Sequence, residues 1–274
     1  SVNGQVTFSP STLGAGSYDL EMTYETATDP FCENTVTETI VVNALPVLDV
    51  VLESSPTTSA DGLDICYDDA AITLRGFADG STQTTGSFAT FSGLTDNGDG
   101  TATFDPELAA LGAGETRTGE TSTFNVTYTY TDATDGCVNS VTVTINVQPQ
   151  PDLDIVNNDT GITMEDEQIC FDAADIEITG QRVTSSGSSN IIADNITIST
   201  GGLTFDAVTG IATIDPEAAA TAAGGTIEGD ATRHTITLTY TDGFGCANSV
   251  AYNITIEPKP EVSIRNTEIG RAHV

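Results

Sequence analysis

The feature that most constrains this chain is a hairpin written three times. Residues 124–147 read FNVTYTYTDATDGCVNSVTVTINV, residues 19–42 read DLEMTYETATDPFCENTVTETIVV, and residues 234–256 read HTITLTYTDGFGCANSVAYNITI. In the middle copy Phe124, Val126, Tyr128 and Tyr130 alternate with Asn125, Thr127, Thr129 and Thr131. After a turn over 132–136, Val141, Val143, Ile145 and Val147 alternate with Thr and Asn. A period of two puts every second side chain on one face of a strand. Thr, Val, Ile and Tyr suit a half-buried pleated surface. Two such runs around a short turn predict an antiparallel hairpin.

Prolines mark the spacing of the larger unit. PVLDVV starts at Pro46, PDLDIV at Pro151 and PEVSIR at Pro260, so the offsets are 151 − 46 = 105 and 260 − 151 = 109. Between them the landmarks return in order. ICYDDAAITLRG (65–76) matches ICFDAADIEITG (169–180), and TATFDPELAALG (101–112) matches IATIDPEAAATAAGG (211–225). Repeats of this length are domains with cores of their own, unlike solenoid units that need neighbours. The expected fold is all-β: tandem immunoglobulin-like antiparallel β-sandwich domains. Residues 1–45 read as the C-terminal half of a truncated repeat, 46–150 and 151–258 as complete repeats, and 259–267 as the start of the next. The last residues, EIGRAHV (268–274), fit no repeat and read as a translated sequencing adaptor.

Charge narrows the partners. The chain has 40 acidic and 7 basic residues, a net charge of −33. The acids are spread along both complete repeats, with no basic patch. Such a surface repels nucleic acid and anionic membranes. No stretch reaches the apolar length of a membrane span, so no membrane insertion is expected. Hydrophobic content is 38%. It is strictly patterned, which argues for a thin folded sandwich over disorder.

The 5 cysteines carry the strongest site expectation. Cys137 is in phase with Val141 to Val147, and Cys66 with Ala70, Ile72 and Leu74. Cys246 and Cys170 repeat the pattern, so all four are expected to point inward. Two inward cysteines per domain on distant strands predict the bridges Cys66–Cys137 and Cys170–Cys246. Each would close a loop of about 75 residues and contribute about 4 kcal/mol by loop-closure entropy. Cys32 occupies the same slot as Cys137, with its partner expected upstream. Buried free thiols are the alternative; zinc lacks a CxxC or Cys/His spacing. Paired cysteines point to an oxidising, extracytoplasmic compartment.

Asp105-Pro106-Glu107 and Asp215-Pro216-Glu217 precede Ala-rich runs and predict one short helix per complete repeat, ended by Gly112 and Gly224. Catalytic chemistry finds little to work with. His234 stands alone, and acid pairs such as Asp68-Asp69 or Asp172/Asp175 arise easily in so acidic a chain. A calcium loop is the better candidate, with Asp96, Asn97 and Asp99 as oxygen ligands. Gly98 interrupts the usual ligand spacing, however, and the matching segment at Asp206 keeps one acid, which favours a hairpin turn. A second calcium candidate groups Asp49, Asp152 and Asp154 at the repeat starts. Carbohydrate binding usually needs exposed flat aromatics; there is no Trp, and most Tyr and Phe fall on inward phases. The Lys–Asn cross-links of some adhesins are excluded, because neither complete repeat holds a Lys. Segments 77–91 and 181–204 are long enough for extra strands or a decorated binding loop.

Cys66, Leu74, Gly76, Phe104, Pro106, Tyr128, Tyr130, Gly136, Cys137 and Asn139, with the same set in the next repeat, form a pattern that resembles the Ig-like (PKD/Ig-type) tandem repeats of large secreted surface adhesins of Bacteroidetes-type bacteria. The resemblance implies a non-catalytic extracellular stalk or adhesion segment at the cell surface, next to further repeats of the same chain, with a surface polysaccharide or protein as ligand. No cofactor is expected, with calcium the one candidate. The alternatives are a carbohydrate-binding accessory module of a polysaccharide-acting protein and an extracellular filament subunit.

Overall fold

The computed structural model describes residues 6–263. The adaptor reading of 268–274 and residues 264–267 of the expected next repeat lie outside the described residues. The chain divides into two compact units. The first takes residues up to 65 with 69–115 and 121–147, and the second takes 66–68, 116–120 and residues from 148 onward.

The first unit opens with a short helix, α1 (Pro10–Leu13), and a hairpin of β1 (Gly16–Glu25) and β2 (Glu33–Val42). These two strands form a sheet by themselves, in antiparallel register from Gly16↔Val42 to Glu25↔Glu33. Their apolar face is bare: Leu20 is 37% and Met22 55% exposed. Their counterparts in the next hairpin, Val126 and Tyr128, are both 0% exposed.

The rest of the first unit builds a two-layer sandwich. Its strands are β3 (Leu48–Leu52), β4 (Ser55–Ser59), β5 (Leu63–Cys66), β6 (Ile72–Ala78), β7 (Ser81–Thr82), β8 (Ser87–Phe88), β9 (Leu94–Asp96) and β10 (Thr101–Phe104). Helix α2 (Pro106–Ala113) and strands β11 (Ser122–Thr131) and β12 (Val138–Gln148) follow. One sheet runs β4-β3-β6-β10-β9, with β7 on β6; the other runs β5-β12-β11-β8. The second unit repeats the plan with β13 (Asp152–Asn157), β14 (Gln168–Cys170), β15 (Ile176–Thr184), β16 (Gly187–Ile191), β17 (Asn195–Ile198), β18 (Leu203–Asp206), β19 (Ile211–Ile214), α3 (Pro216–Ala222), β20 (Thr232–Thr241) and β21 (Ala247–Glu257). Its sheets are β13-β15-β19-β18, with β16 on β15, and β14-β21-β20-β17.

The hairpins form as the alternation predicts, with Phe124↔Ile145, Val126↔Val143 and Tyr128↔Val141 opposite one another. His234↔Ile254 and Leu238↔Val250 follow the same register in the second unit. Inward residues of both layers make each core. In the second unit Ile155, Ile178, Ile214, Ile236, Leu238 and Ile254 are fully buried, each worth about 1.5–3 kcal/mol relative to exposure.

One contact shows why the repeat spells glycine at a fixed place. A Cβ on Gly76 would stand 2.0 Å from Cζ of Tyr128, because the tyrosine ring lies directly over the β6 backbone. The ring is also packed against Phe88 at a centroid distance of 4.9 Å. Its hydroxyl donates to the carbonyl of Thr85 at 2.5 Å. Burial pushes the phenol up to about 12. In the second unit Gly180 serves Leu238 Cδ1 in the same way, at 2.3 Å.

The helices start where the sequence predicts. Asp105 Oδ1 accepts from Leu108 N at 3.0 Å and Asp215 Oδ1 from Ala218 N at 2.9 Å, with proline in the first turn of each helix. Gly224, at φ 86°, ends α3 as expected, whereas the end of α2 differs. Helix α2 runs through Gly112 and is capped by Gly114 in the left-handed region, φ 90°. Gly112 is small for another reason: a Cβ there would meet the Ser92 side chain at 2.4 Å. In α3 the C-cap is Ala223, one residue before Gly224.

The long segments after β6 and β15 form strands. Each places one strand on the β6 or β15 sheet (β7, β16) and the next on the opposite sheet, as β8 beside β11 and β17 beside β20. They carry the chain from one layer to the other.

Candidate functional site

Cysteine chemistry is where sequence and structure part. Within the second unit Cys66 is bonded to Cys246, with Cα atoms 5.5 Å apart and 180 residues between them in the chain. Cys32, Cys137 and Cys170 are free thiols; Cys32 and Cys170 are exposed and Cys137 is partly covered. The expected pairs Cys66–Cys137 and Cys170–Cys246 are therefore corrected. The reason lies in strand direction. Strand β14 runs parallel to β21, with Cys170 opposite Glu257. Cys246 sits just before β21 begins, eleven residues earlier, which is about 36 Å along a strand. A disulfide needs Cα atoms within about 7 Å. In the first repeat Tyr67 N donates to the carbonyl of Gln148, again at the end of β12 remote from Cys137. The inward face expected for all four cysteines also fails at Cys170, which is exposed while Ile169 beside it in β14 is buried, because its phase is carried across the turn from β15 rather than read within its own three-residue strand.

Cys246 is held by its turn. Asp242 Oδ1 accepts from the backbone N–H of Cys246 at 3.0 Å and of Phe244 at 3.0 Å, and Asp242 N donates to the Cys246 carbonyl. The Cys137 turn has a matching bond from Asp132 N to the Cys137 carbonyl at 2.9 Å. There Asp135 takes the cysteine N–H at 2.9 Å. A hydrogen bond from the thiol to the Asp135 carboxylate, with that carboxylate's charge, pushes Cys137 above the usual thiol range.

The landmark asparagines have a definite job. Asn139 Nδ2 donates to the carbonyl of Pro46 at 2.9 Å, and Asn248 Nδ2 donates to that of Pro151 at 2.9 Å. Each ties the start of the last strand to the proline that opens its own repeat. Beside the cystine, Arg117 pairs with Asp68 (Nη2 to Oδ2 2.5 Å) and donates to Asn248 Oδ1 at 3.1 Å. Both charges are about half exposed, so the pair contributes at most about 1 kcal/mol. Sequence reading passed over Arg117; its signal was rarity, as one of 7 basic residues. Asp172, which corresponds to Asp68, pairs with Lys259, and the lysine holds its carboxyl below the ordinary range. One acid of each candidate pair, Asp68 and Asp172, is thus engaged with a base.

The acidic loop at 96–100 is a turn. Asp96 Oδ1 accepts from Gly98 N and Oδ2 from Phe88 N. Asp99 Oδ1 accepts from Thr101 N and Oγ1, which lowers its pKa. Asn97 Nδ2 donates to Thr101 and Thr103. These side chains hold the backbone of the turn and of the neighbouring strand β8, and Asp206 repeats the arrangement with Val208 N. Asp49 accepts from Val50 N and Ser59, and Asp154 from Thr163. No group of three or more His, Cys, Asp or Glu poised for a metal occurs among the described residues.

His234 is a core residue. It is 1% exposed and occupies the slot that Phe124 fills in the first repeat, where Phe91 and Phe104 pack on that ring. Thr200 and Thr232 hydroxyls satisfy its two ring nitrogens at 2.7 and 2.8 Å. Burial pushes its pKa below 6.5. Between the folded value and 6.5 the unfolded chain binds the proton and the folded chain does not, so stability is complete above 6.5 and falls as pH drops through this window. His234→Phe is expected to abolish this loss. The stability difference between variant and wild type should shift towards the variant by at most ~1.4 kcal/mol per pH unit below 6.5, read by urea unfolding at pH 7.5 and 5.5.

Among the described residues four aromatic side chains are exposed: Phe8, Tyr24, Phe31 and Phe244, at 47, 67, 65 and 59%. No helix among the described residues is long and apolar enough to cross a membrane.

No family model matches the chain, and no curated protein matches it. Solved structures similar to it are extracellular cadherin repeats. Drosophila N-cadherin EC1–4 aligns at 13% identity and a TM-score of 0.39, over 90% of this chain and 58% of that one. Mouse protocadherin-24 EC1–3 aligns at 12% identity and 0.31, over 88% and 80%. Mouse clustered PcdhgC3 EC1–3 aligns at 12% and 0.33, over 92% and 80%. The assignment of serial β-sandwiches stands on the strand order described above.

Proposed function

We propose that this chain is a stretch of a serial array of Ig-like repeats in an extracellular surface protein of a Bacteroidetes-type bacterium, working without catalysis as a stalk that spaces and presents adhesive modules. One observation carries the reading: the landmarks that recur are spent on building the sandwich. Gly76 and Gly180 make room for a core side chain, Asp105 and Asp215 cap helices, and Asn139 and Asn248 tie down Pro46 and Pro151. A cystine supports an oxidising compartment. The bare face of Leu20 and Met22 supports reading residues up to 45 as the later half of a repeat whose earlier half precedes them. Neighbouring repeats are then the nearest partners, and a surface polysaccharide or protein is the ligand of the whole.

A glycan array combined with sedimentation velocity tests this. The stalk reading expects no glycan bound and a monomer. Saturable glycan binding abolished by Phe244→Ala would establish the carbohydrate module instead, and concentration-dependent polymers would establish a filament subunit. Calcium is expected to act only as a counterion on a chain of charge −33. The melting temperature in 2 mM calcium (about the extracellular range of weak sites) should equal that in magnesium at the same ionic strength. A calcium-specific rise reversed by EGTA and lost in Asp99→Asn would contradict this.

A further inference from the structure

Each complete repeat carries one cysteine at the end of its short edge strand, Cys66 or Cys170, and one at the entry to its last strand, Cys137 or Cys246. Parallel pairing of those strands keeps the two at opposite ends, out of reach of one another. The bond that forms takes an edge-strand cysteine from one repeat and a last-strand cysteine from the next. We propose that cystines in this protein run from every repeat to the one after it: Cys170 bonds the last-strand cysteine of the following repeat, and Cys137 bonds the edge-strand cysteine of the preceding one. This rests on reading the chain as part of a longer array.

A second observation in the first unit points to the same pairing. Cys137 lines a cleft of ~720 Å³ together with α1 residues, Val42, Asn43 and Leu45. Asn43 corresponds to Gln148, one repeat length on (43 + 105 = 148). The Gln148 carbonyl is where Tyr67 docks, the residue next to Cys66. Carrying that register back by one repeat places an edge-strand cysteine beside Asn43, in the cleft that Cys137 lines. The occupant of the cleft is therefore a segment like residues 63–67, from the repeat before.

The chemistry is thiol–disulfide exchange with a small disulfide oxidant such as oxidised glutathione. One thiol displaces a glutathione thiol and forms a mixed disulfide. The second thiol displaces the other, leaving one protein disulfide and two glutathione thiols. The consequence is topological. The loop closed by Cys66 and Cys246 already contains Cys170, where the next loop begins. Successive loops overlap, so every residue inside the array lies within at least one closed loop, and tension on the ends is borne by the short segments between a last-strand cysteine and the next edge-strand cysteine, such as 137–170.

The test is a chain of residues 1–259 followed directly by a second copy of 46–258, which keeps the proline spacing. It is refolded with oxidised and reduced glutathione and mapped by mass spectrometry without reduction. Three cystines are expected: Cys66–Cys246, Cys170 to Cys137 of the second copy, and Cys66 to Cys246 within the second copy. Cys170→Ser should leave Cys137 of the second copy as a thiol that iodoacetamide labels, with the other two bonds intact. A free or glutathione-capped Cys170 beside an intact Cys66–Cys246 would overturn the proposal and leave the stalk reading standing. So would a Cys170–Cys246 bond. Binding or polymerisation in the glycan and sedimentation experiments would remove the stalk reading while leaving this map unaffected.

Discussion

Gly76→Val is expected to destabilise the first complete repeat by about 3–5 kcal/mol and to leave the second at wild-type stability. The added Cβ would lie 2.0 Å from Cζ and 2.4 Å from Cε2 of Tyr128. No small adjustment relieves a clash with a ring that is 0% exposed, packed on Phe88 and bonded through its hydroxyl to Thr85. The tyrosine must leave the core. The cost then approaches that of truncating a large buried aromatic, rather than the smaller penalty of ordinary overpacking. Gly86 closes the other escape, since it too would clash with the same ring if it carried a Cβ. Hydrogen exchange read separately for β11 and β20 checks both halves of the expectation. Tyr128→Leu copies the arrangement of Leu238 over Gly180 and offers a flexible tip in place of a ring. In the milder Gly76→Ala background it should recover stability, with a coupling of about 0.5–3 kcal/mol for groups in contact.

Reduction of the cystine should lengthen the chain under load by about 600–650 Å. With its ends pulled in oxidising buffer, the 180 residues between Cys66 and Cys246 are shielded from extension. Opening the bond releases them at about 3.3–3.6 Å each. Cys246→Ala should give the longer contour from the outset. The alternative pairing, Cys66–Cys137 with Cys170–Cys246, would give two separate releases of 71 and 76 residues, so the trace separates the two connectivities. At equilibrium the same bond stabilises any transition that unfolds the whole loop by about 5 kcal/mol through loop-closure entropy. Unfolding confined to one repeat should feel less of it.

Much of the fold was legible because it follows from local rules. Alternation alone placed Val126, Tyr128, Val143 and Ile145 in the core, where each is at most 2% exposed. The Asp-Pro-Glu signals marked both helix starts, since a cap bond forms from neighbouring residues. The 96–100 segment read correctly as a turn because an Asp two residues before a Gly satisfies its own backbone. Cystine connectivity was not legible. Inward phase is a property of a single strand, whereas which cysteines meet depends on whether β5 and β14 run with or against the last strand of the repeat. That is decided by long-range sheet topology, which no residue spacing encodes. Equally hidden was the reason for Gly76: a turn glycine and a glycine under a tyrosine look the same in a sequence, and only packing tells them apart.

The central claim is that the covalent clasp joins successive repeats rather than closing each one. The most direct measurement is a non-reducing peptide map of this chain after alkylation of free thiols under native conditions. One cross-linked pair containing Cys66 and Cys246 is expected, with Cys32, Cys137 and Cys170 all alkylated. Recovery of Cys66 linked to Cys137, together with Cys170 linked to Cys246, would contradict the account.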